Sequence, residues 1–126
     1  IIIADGFYEW KTAKDKQPMR ITTSEKIFTM AGIWNSHIDH DGKKVYTVAI
    51  VTTAANEQMQ EIHDRMPVIL TEASETIWLN PSIKDNKQLQ EILKPYDKPV
   101  TIYPVSKKVN SSTYNEFDAI RNISNT

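Results

Sequence analysis

The chain has 126 residues, 40% of them hydrophobic and 25% charged, with a formal net charge of −1. That length suits one domain with one core, and the balance excludes an intrinsically disordered chain and a global basic field for nucleic acid. The cysteine count is 0, which excludes a disulfide framework and a thiolate metal site and points to a reducing compartment. No apolar run approaches the ~18 residues of a bilayer span, and no signal peptide is evident. A cytoplasmic setting without membrane association is therefore expected.

Residues 1–11 are β-branched and aromatic, which suits a strand. The chain has no initiator Met, and Ile1-Ile2-Ile3 reads as the middle of a strand, so a piece of a domain beginning upstream is expected. Residues 12–18 are a polar, lysine-rich connection. Residues 19–23 and 27–33 read as short strands joined through Thr23-Ser24-Glu25-Lys26. Residues 34–39 continue outward to Asp41-Gly42, a hairpin signal, and 45–53 return as a strand.

Asn56 caps a short helix, with Glu57 in its first turn where the helix dipole favours an acid. Met59, Ile62 and Met66 share a helical face, and Pro67 ends it. After the apolar run 68–70, Thr71 caps a second helix that reaches Leu79 and stops at Asn80-Pro81. Residues 86–94 form a third, with Leu89, Ile92 and Leu93 on one side. Residues 100–105 read as a strand that Pro104 marks as an edge or an ending. From Ser111 the chain is polar, with one turn around Phe117 and Ile120. Strands, then helices, then a strand imply an α+β domain with a mainly antiparallel sheet.

The most unusual local feature is Asp5-Gly6-Phe7-Tyr8-Glu9-Trp10. Glutamate is depleted in strands, yet Glu9 lies between two aromatic residues and shares a strand face with Phe7. Loss of hydration among aromatic rings disfavours a charged carboxyl and suits it to acid–base work. Pattern alone favours a solvent-facing glutamate at a sheet edge, paired with Lys11 or Arg20. In His63-Asp64-Arg65-Met66-Pro67, the histidine can exchange protons near neutral pH and the arginine can grip a phosphate. A helix end whose cations complement the dipole is the plainer alternative. His37, Asp39 and His40 tempt toward a metal site, but Ile38 interrupts them and Asp41-Gly42 belongs to the turn, so no metal is assigned. Trp10, Trp34 and Trp78 are expected in the core.

Gly6-Phe7-Tyr8-Glu9-Trp10, residues 52–67, and Val105 with Val109-Asn110 together resemble the SRAP family, the SOS response-associated peptidases. The match is to the C-terminal, larger part of that domain, whose fold is an open, barrel-like α+β arrangement. The family captures abasic sites in single-stranded DNA through a covalent link to an N-terminal cysteine. The resemblance implies that Glu9 and His63 are catalytic proton-transfer residues, and that Trp10, Thr52 and Arg65 meet the DNA. It implies no cofactor and no metal. The expected partner is single-stranded DNA with abasic sites, at the nucleoid if the source is bacterial. The cysteine and a family asparagine are expected upstream of Ile1, so this cysteine-free chain is expected not to form the adduct. Missing strands would leave an open edge at residues 1–3 that invites self-association. Two alternatives stay open: a cysteine-type peptidase, and a module that binds single-stranded DNA or protein without catalysis.

Overall fold

A computed structural model describes residues 1–124; Asn125 and Thr126, the end of the polar tail, lie outside the described residues. Asp5-Gly6 breaks the first apolar stretch into β1 (Ile2–Ala4) and β2 (Phe7–Trp10), which enter different sheets. One strand over 1–11 is thus corrected to two, and the cause is Arg20. This residue is only 4% exposed. Its guanidinium donates to the Asp5 carbonyl at 3.1 Å and pairs with the Asp5 carboxylate at 3.1 Å. A Cβ on Gly6 would stand 2.7 Å from Arg20 Nε, so a residue without one is what the corner accommodates.

β3 (Pro18–Thr22) lies between β2 and β10 (Thr101–Pro104), which is an edge strand as Pro104 requires. A second sheet places β4 (Phe28–Met30) between β1 and β9 (Ile69–Leu70). β5 (Gly32–Ile38) and β6 (Lys44–Ile50) form a hairpin of their own, and β7 (Thr52–Ala54) pairs with β8 (Arg65–Pro67). At the hairpin turn the Asp39 carboxylate accepts the N–H groups of Asp41 and Lys43, and Gly42 adopts a φ of 77°.

The strands expected over 27–33 and 45–53 are each interrupted, at Ala31 and Val51. There the backbone turns to other partners: Ala31 N–H donates to Val68, Val68 to Val51 and Val51 to Ala31, each at 2.9 Å. This three-cornered knot passes the chain from sheet to sheet. It is packed by buried Ala31, Val68 and Leu70, with Val51, Trp78 and Leu93 around them.

α1 (Glu57–Gln60) is a single turn capped by Asn56, whose side chain accepts from Met59 N–H. Its continuation toward Met66 is corrected: Met66 lies on β8. The apolar spacing was real, since Met59, Ile62 and Met66 are all buried, but Met66 reaches the core from a strand. α2 (Glu72–Leu79) begins in a capping box formed by Thr71 and Ser74, and α3 (Asn86–Ile92) is capped by Asp85. Two short 3-10 turns follow, Lys107–Asn110 and Phe117–Ile120, the first of them unanticipated.

The main core joins Met19 and Ile21 of β3, Phe28 and Met30 of β4, Met59, Ile62, Met66 and Ile69. Burying one such side chain contributes about 1.5–3 kcal/mol, an upper range because unfolded chains already hide some apolar surface. The fold is α+β, with every strand pair antiparallel and no closed barrel among the described residues. Among those residues no helix is long and apolar enough to cross a membrane. Trp78 is half-buried and donates to the Gly32 carbonyl at 3.2 Å, whereas Trp34, expected in the core, is 73% exposed on the separate hairpin.

Candidate active site

Strand alternation decides where Glu9 goes. On β2, Phe7 pairs with Ile21 and Glu9 with Met19, so both side chains share the face of buried core residues. Tyr8 and Trp10 take the other face, opposite Arg20 and Pro18. Arg20 is therefore on the wrong side to pair with Glu9 and is held by Asp5. Among the described residues Glu9 forms no ion pair. Its Oε1 accepts the Trp10 N–H at 3.1 Å, which fixes the carboxyl beside its own strand.

His63 lies just past α1, after Glu61 and Ile62, and its backbone N–H donates to the Met59 carbonyl at 2.9 Å. Its Nδ1 accepts the Arg65 N–H at 3.0 Å and lies 3.2 Å from Asp64 Oδ1. In the neutral ring that amide leaves the proton on Nε2. The single Nδ1 lone pair cannot both accept that amide and carry a proton, so protonation at Nδ1 would give up the Arg65 hydrogen bond for the Asp64 carboxylate.

The β7–β8 register sets Thr52 opposite Pro67 and Ala54 opposite Arg65, so Thr52 and Arg65 are diagonal neighbours on one exposed face. Arg65 Nη2 donates to the Thr52 carbonyl at 2.8 Å and to its hydroxyl at 3.0 Å. A guanidinium held along one edge loses less freedom when it meets an anion.

Glu9, His63, Thr52 and Arg65 line one cavity of about 260 Å³, walled also by Phe7, Tyr8, Met30, Ile50, Met66 and Pro67. The lining of this largely apolar recess thus includes a glutamate, a histidine and an arginine. That combination can donate a proton at one point and accept one at another while holding an anionic group. A larger hollow of about 500 Å³ beside Tyr8, Tyr114 and Phe117 has no histidine in its lining.

Trp10 is not among the residues lining the cavity. Its indole Nε1 donates to Asn110 Oδ1 at 2.7 Å, on the other side of the sheet. Sequence reasoning singled out Asn110 without giving it work, and missed Asp64 as the second partner of His63 and Ile50 and Met30 as walls. A carboxylate directly after a histidine was a readable signal for Asp64. The apolar walls had none, because they depend on how distant strands meet.

The family model described as SOS response associated peptidase (SRAP) matches residues 1–112. The chain is 47% identical over 124 residues to abasic site processing protein YoqW of Bacillus subtilis, covering 95% of this chain and 55% of that relative. It is 29% identical to abasic site processing protein HMCES of Xenopus tropicalis, covering 91% of this chain and 40% of that one. A solved structure of a Bacteroides thetaiotaomicron protein superposes with a TM-score of 0.87 at 31% identity, over 97% of this chain and 55% of that one. The chain therefore spans about half the length of these relatives.

Proposed function

This chain belongs to the SRAP family, and we propose that it carries the proton-transfer and DNA-contacting part of an abasic-site processing domain. The observation that carries the reading is the meeting of Glu9 and His63 in one cavity beside the Thr52–Arg65 clamp. The names of its relatives, abasic site processing proteins, support abasic sites as the substrate class.

In this reading an abasic deoxyribose enters the cavity from single-stranded DNA. The closed sugar opens when its ring C1′–O4′ bond breaks, O4′ gains a proton and the C1′ hydroxyl loses one, leaving an aldehyde. His63 donates to O4′ and Glu9 accepts, so no free acid or base is needed. An upstream terminal cysteine then adds its amine to the aldehyde. Loss of one water gives an imine, and addition of the thiol across C=N closes a thiazolidine ring. Glu9 carries the protons of the amine steps. Arg65 holds a phosphate next to the lesion, and Trp10, steadied by Asn110, stacks on an unpaired base. The setting is the cytoplasm, at the nucleoid in a bacterium.

A chain completed upstream to a terminal cysteine is expected to form a heat-stable adduct with abasic single-stranded DNA, and Arg65→Glu to weaken its DNA binding. The present cysteine-free chain is expected to form none. Absence of adduct from the completed chain, with Glu9 and His63 intact, would overturn the reading. The peptidase alternative relies on the same upstream thiol and is separated by cleavage of a peptide without DNA.

A further inference from the structure

The segment after β10 folds back over one face of a sheet. Tyr8, Arg20 and Tyr103 stand side by side in register on β2, β3 and β10, so both tyrosines share a face with Trp10. Three hydrogen bonds clip the segment to that face. Trp10 Nε1 donates to Asn110, the Tyr8 hydroxyl to the Ala119 carbonyl at 3.1 Å, and the Tyr103 hydroxyl to the Ile120 carbonyl at 3.2 Å. Between the clips Tyr114 is fixed through its hydroxyl to Asp118. Within this stretch lies the hollow of about 500 Å³, lined by Tyr8, Tyr114, Asn115, Glu116 and Phe117 among others. Phe117 is 99% exposed. A bare phenyl ring beside two tyrosines whose hydroxyls are tied is a stacking platform already in place.

The chemistry of the lining selects a flat, neutral ring over a phosphate. Lys108 is engaged: its Nζ lies 5.5 Å from the Tyr114 ring centre and 3.7 Å from the Asp118 carboxylate. Glu116 sets a negative charge where a phosphate would otherwise enter. Asn115 brings an amide donor and acceptor, and Glu116 an acceptor, which suit the edge of a nucleobase.

Position points the same way. β2 is an outer strand of its sheet, and Tyr8 lines both this hollow and the cavity of Glu9 and His63. The two recesses thus lie on either side of one edge strand. Their sizes differ in the sense a single DNA strand requires. A sugar that has lost its base suits the recess of about 260 Å³, and a neighbour that keeps its base needs the larger one of about 500 Å³.

We propose that this hollow is a subsite for an intact nucleobase, carried by a nucleotide that flanks the abasic site on the same strand. Phe117 and Tyr114 stack on the base, and Asn115 and Glu116 meet its edge. The proposal rests on the SRAP reading above, which puts the abasic sugar beside Glu9.

The test measures binding of the 126-residue chain to fluorescein-labelled single-stranded oligonucleotides by anisotropy. The first oligonucleotide carries a tetrahydrofuran residue, a stable abasic analogue, between two intact nucleotides. In two others the base on one or the other side of the analogue is removed as well. Phe117→Ala is expected to weaken binding to the first by about 10-fold. Removing the base on one of the two sides should cost the parent chain a similar factor and the Phe117→Ala variant almost nothing. Phe117→Trp should restore the parent pattern. Circular dichroism checks that the variants fold like the parent chain, and Asn115→Ala replaces Phe117→Ala if that one does not. Equal losses on all the oligonucleotides, or no loss, overturn the proposal. Dimerisation that Phe117→Ala abolishes, without coupling to a base, would assign the ring to a second copy and overturn it too. Preference for the analogue that Arg65→Glu weakens, without coupling at Phe117, sinks the subsite alone. Coupling at Phe117 without preference for the analogue over undamaged DNA sinks the cavity reading and leaves the subsite standing. Absence of binding to every oligonucleotide would overturn both.

Discussion

Glu9 and Trp10 are adjacent in sequence and point to opposite sides of one strand, and this separates the work each can do. Glu9 meets the cavity; Trp10 meets Asn110. The alternation was readable in the sequence, since Phe7 and Glu9 share a face in any strand. Which face would be the inner one was not, because that depends on Met19 and Ile21 of the neighbouring strand. The other pronounced residue-level chemistry is outside the site. Tyr114 donates its hydroxyl to Asp118, and Lys108 Nζ lies 3.7 Å from the same carboxylate. That hydrogen bond, then burial, then the charges of Asp118 and Glu116 push the Tyr114 phenol up from 10.0 to about 12. The same bond, before any other cause, holds Asp118 below the usual carboxylate range. A raised folded-state value means the contribution is complete below the ordinary tyrosine range and fades as pH rises from 10.0 to about 12. Burial, then the charges of Glu25 and Asp97, also push Tyr96 up, so phenolate absorbance should show late tyrosines that include Tyr114, and Asp118→Asn should bring Tyr114 to lower pH. Simultaneous ionisation of all tyrosines in the parent chain would contradict this.

Among elements, what could be read locally was read. Thr71 with Ser74 starts α2, Asn56 starts α1, and Pro104 ends an edge strand, all from signals carried within a few residues. Strand breaks escaped notice because their causes are distant in sequence. Arg20 bends the chain at Asp5-Gly6, and Ala31, Val51 and Val68 exchange backbone bonds across three separate stretches. Met66 misled by spacing, since a strand entering the core can meet the same buried neighbours as a helix face. The corner at Gly6 offers a direct check. A methyl group there would meet Arg20 Nε at 2.7 Å and the Ile21 carbonyl at 3.0 Å, and Arg20 is buried and held by Asp5. Gly6→Ala is expected to cost about 1–3 kcal/mol in urea unfolding, the range of overpacked sites. An unchanged midpoint would mean that the arginine yields freely and does not set the break.

At the scale of the molecule, the order of strands and helices was enough for the α+β class, while the division of the described residues into four small sheets was not. Glu9 and His63 lie far apart in sequence and could be joined beforehand only through the resemblance to SRAP proteins. Their shared cavity is a tertiary fact, made where β2, β7 and the segment after α1 converge. The exposure of Trp34, Tyr46 and Val48 on the β5–β6 hairpin is likewise invisible in sequence, where they look like ordinary core residues. The central claim is that Glu9 and His63 act as one proton-transfer unit. Its most direct test is a double-mutant cycle on adduct formation with abasic single-stranded DNA, using the chain completed to a terminal cysteine. Glu9→Gln and His63→Ala should each slow the reaction on the order of 10²-fold, and the double variant should be little slower than the worse single one. Near-parental rates in either single variant, or effects that simply multiply in the double, would contradict it.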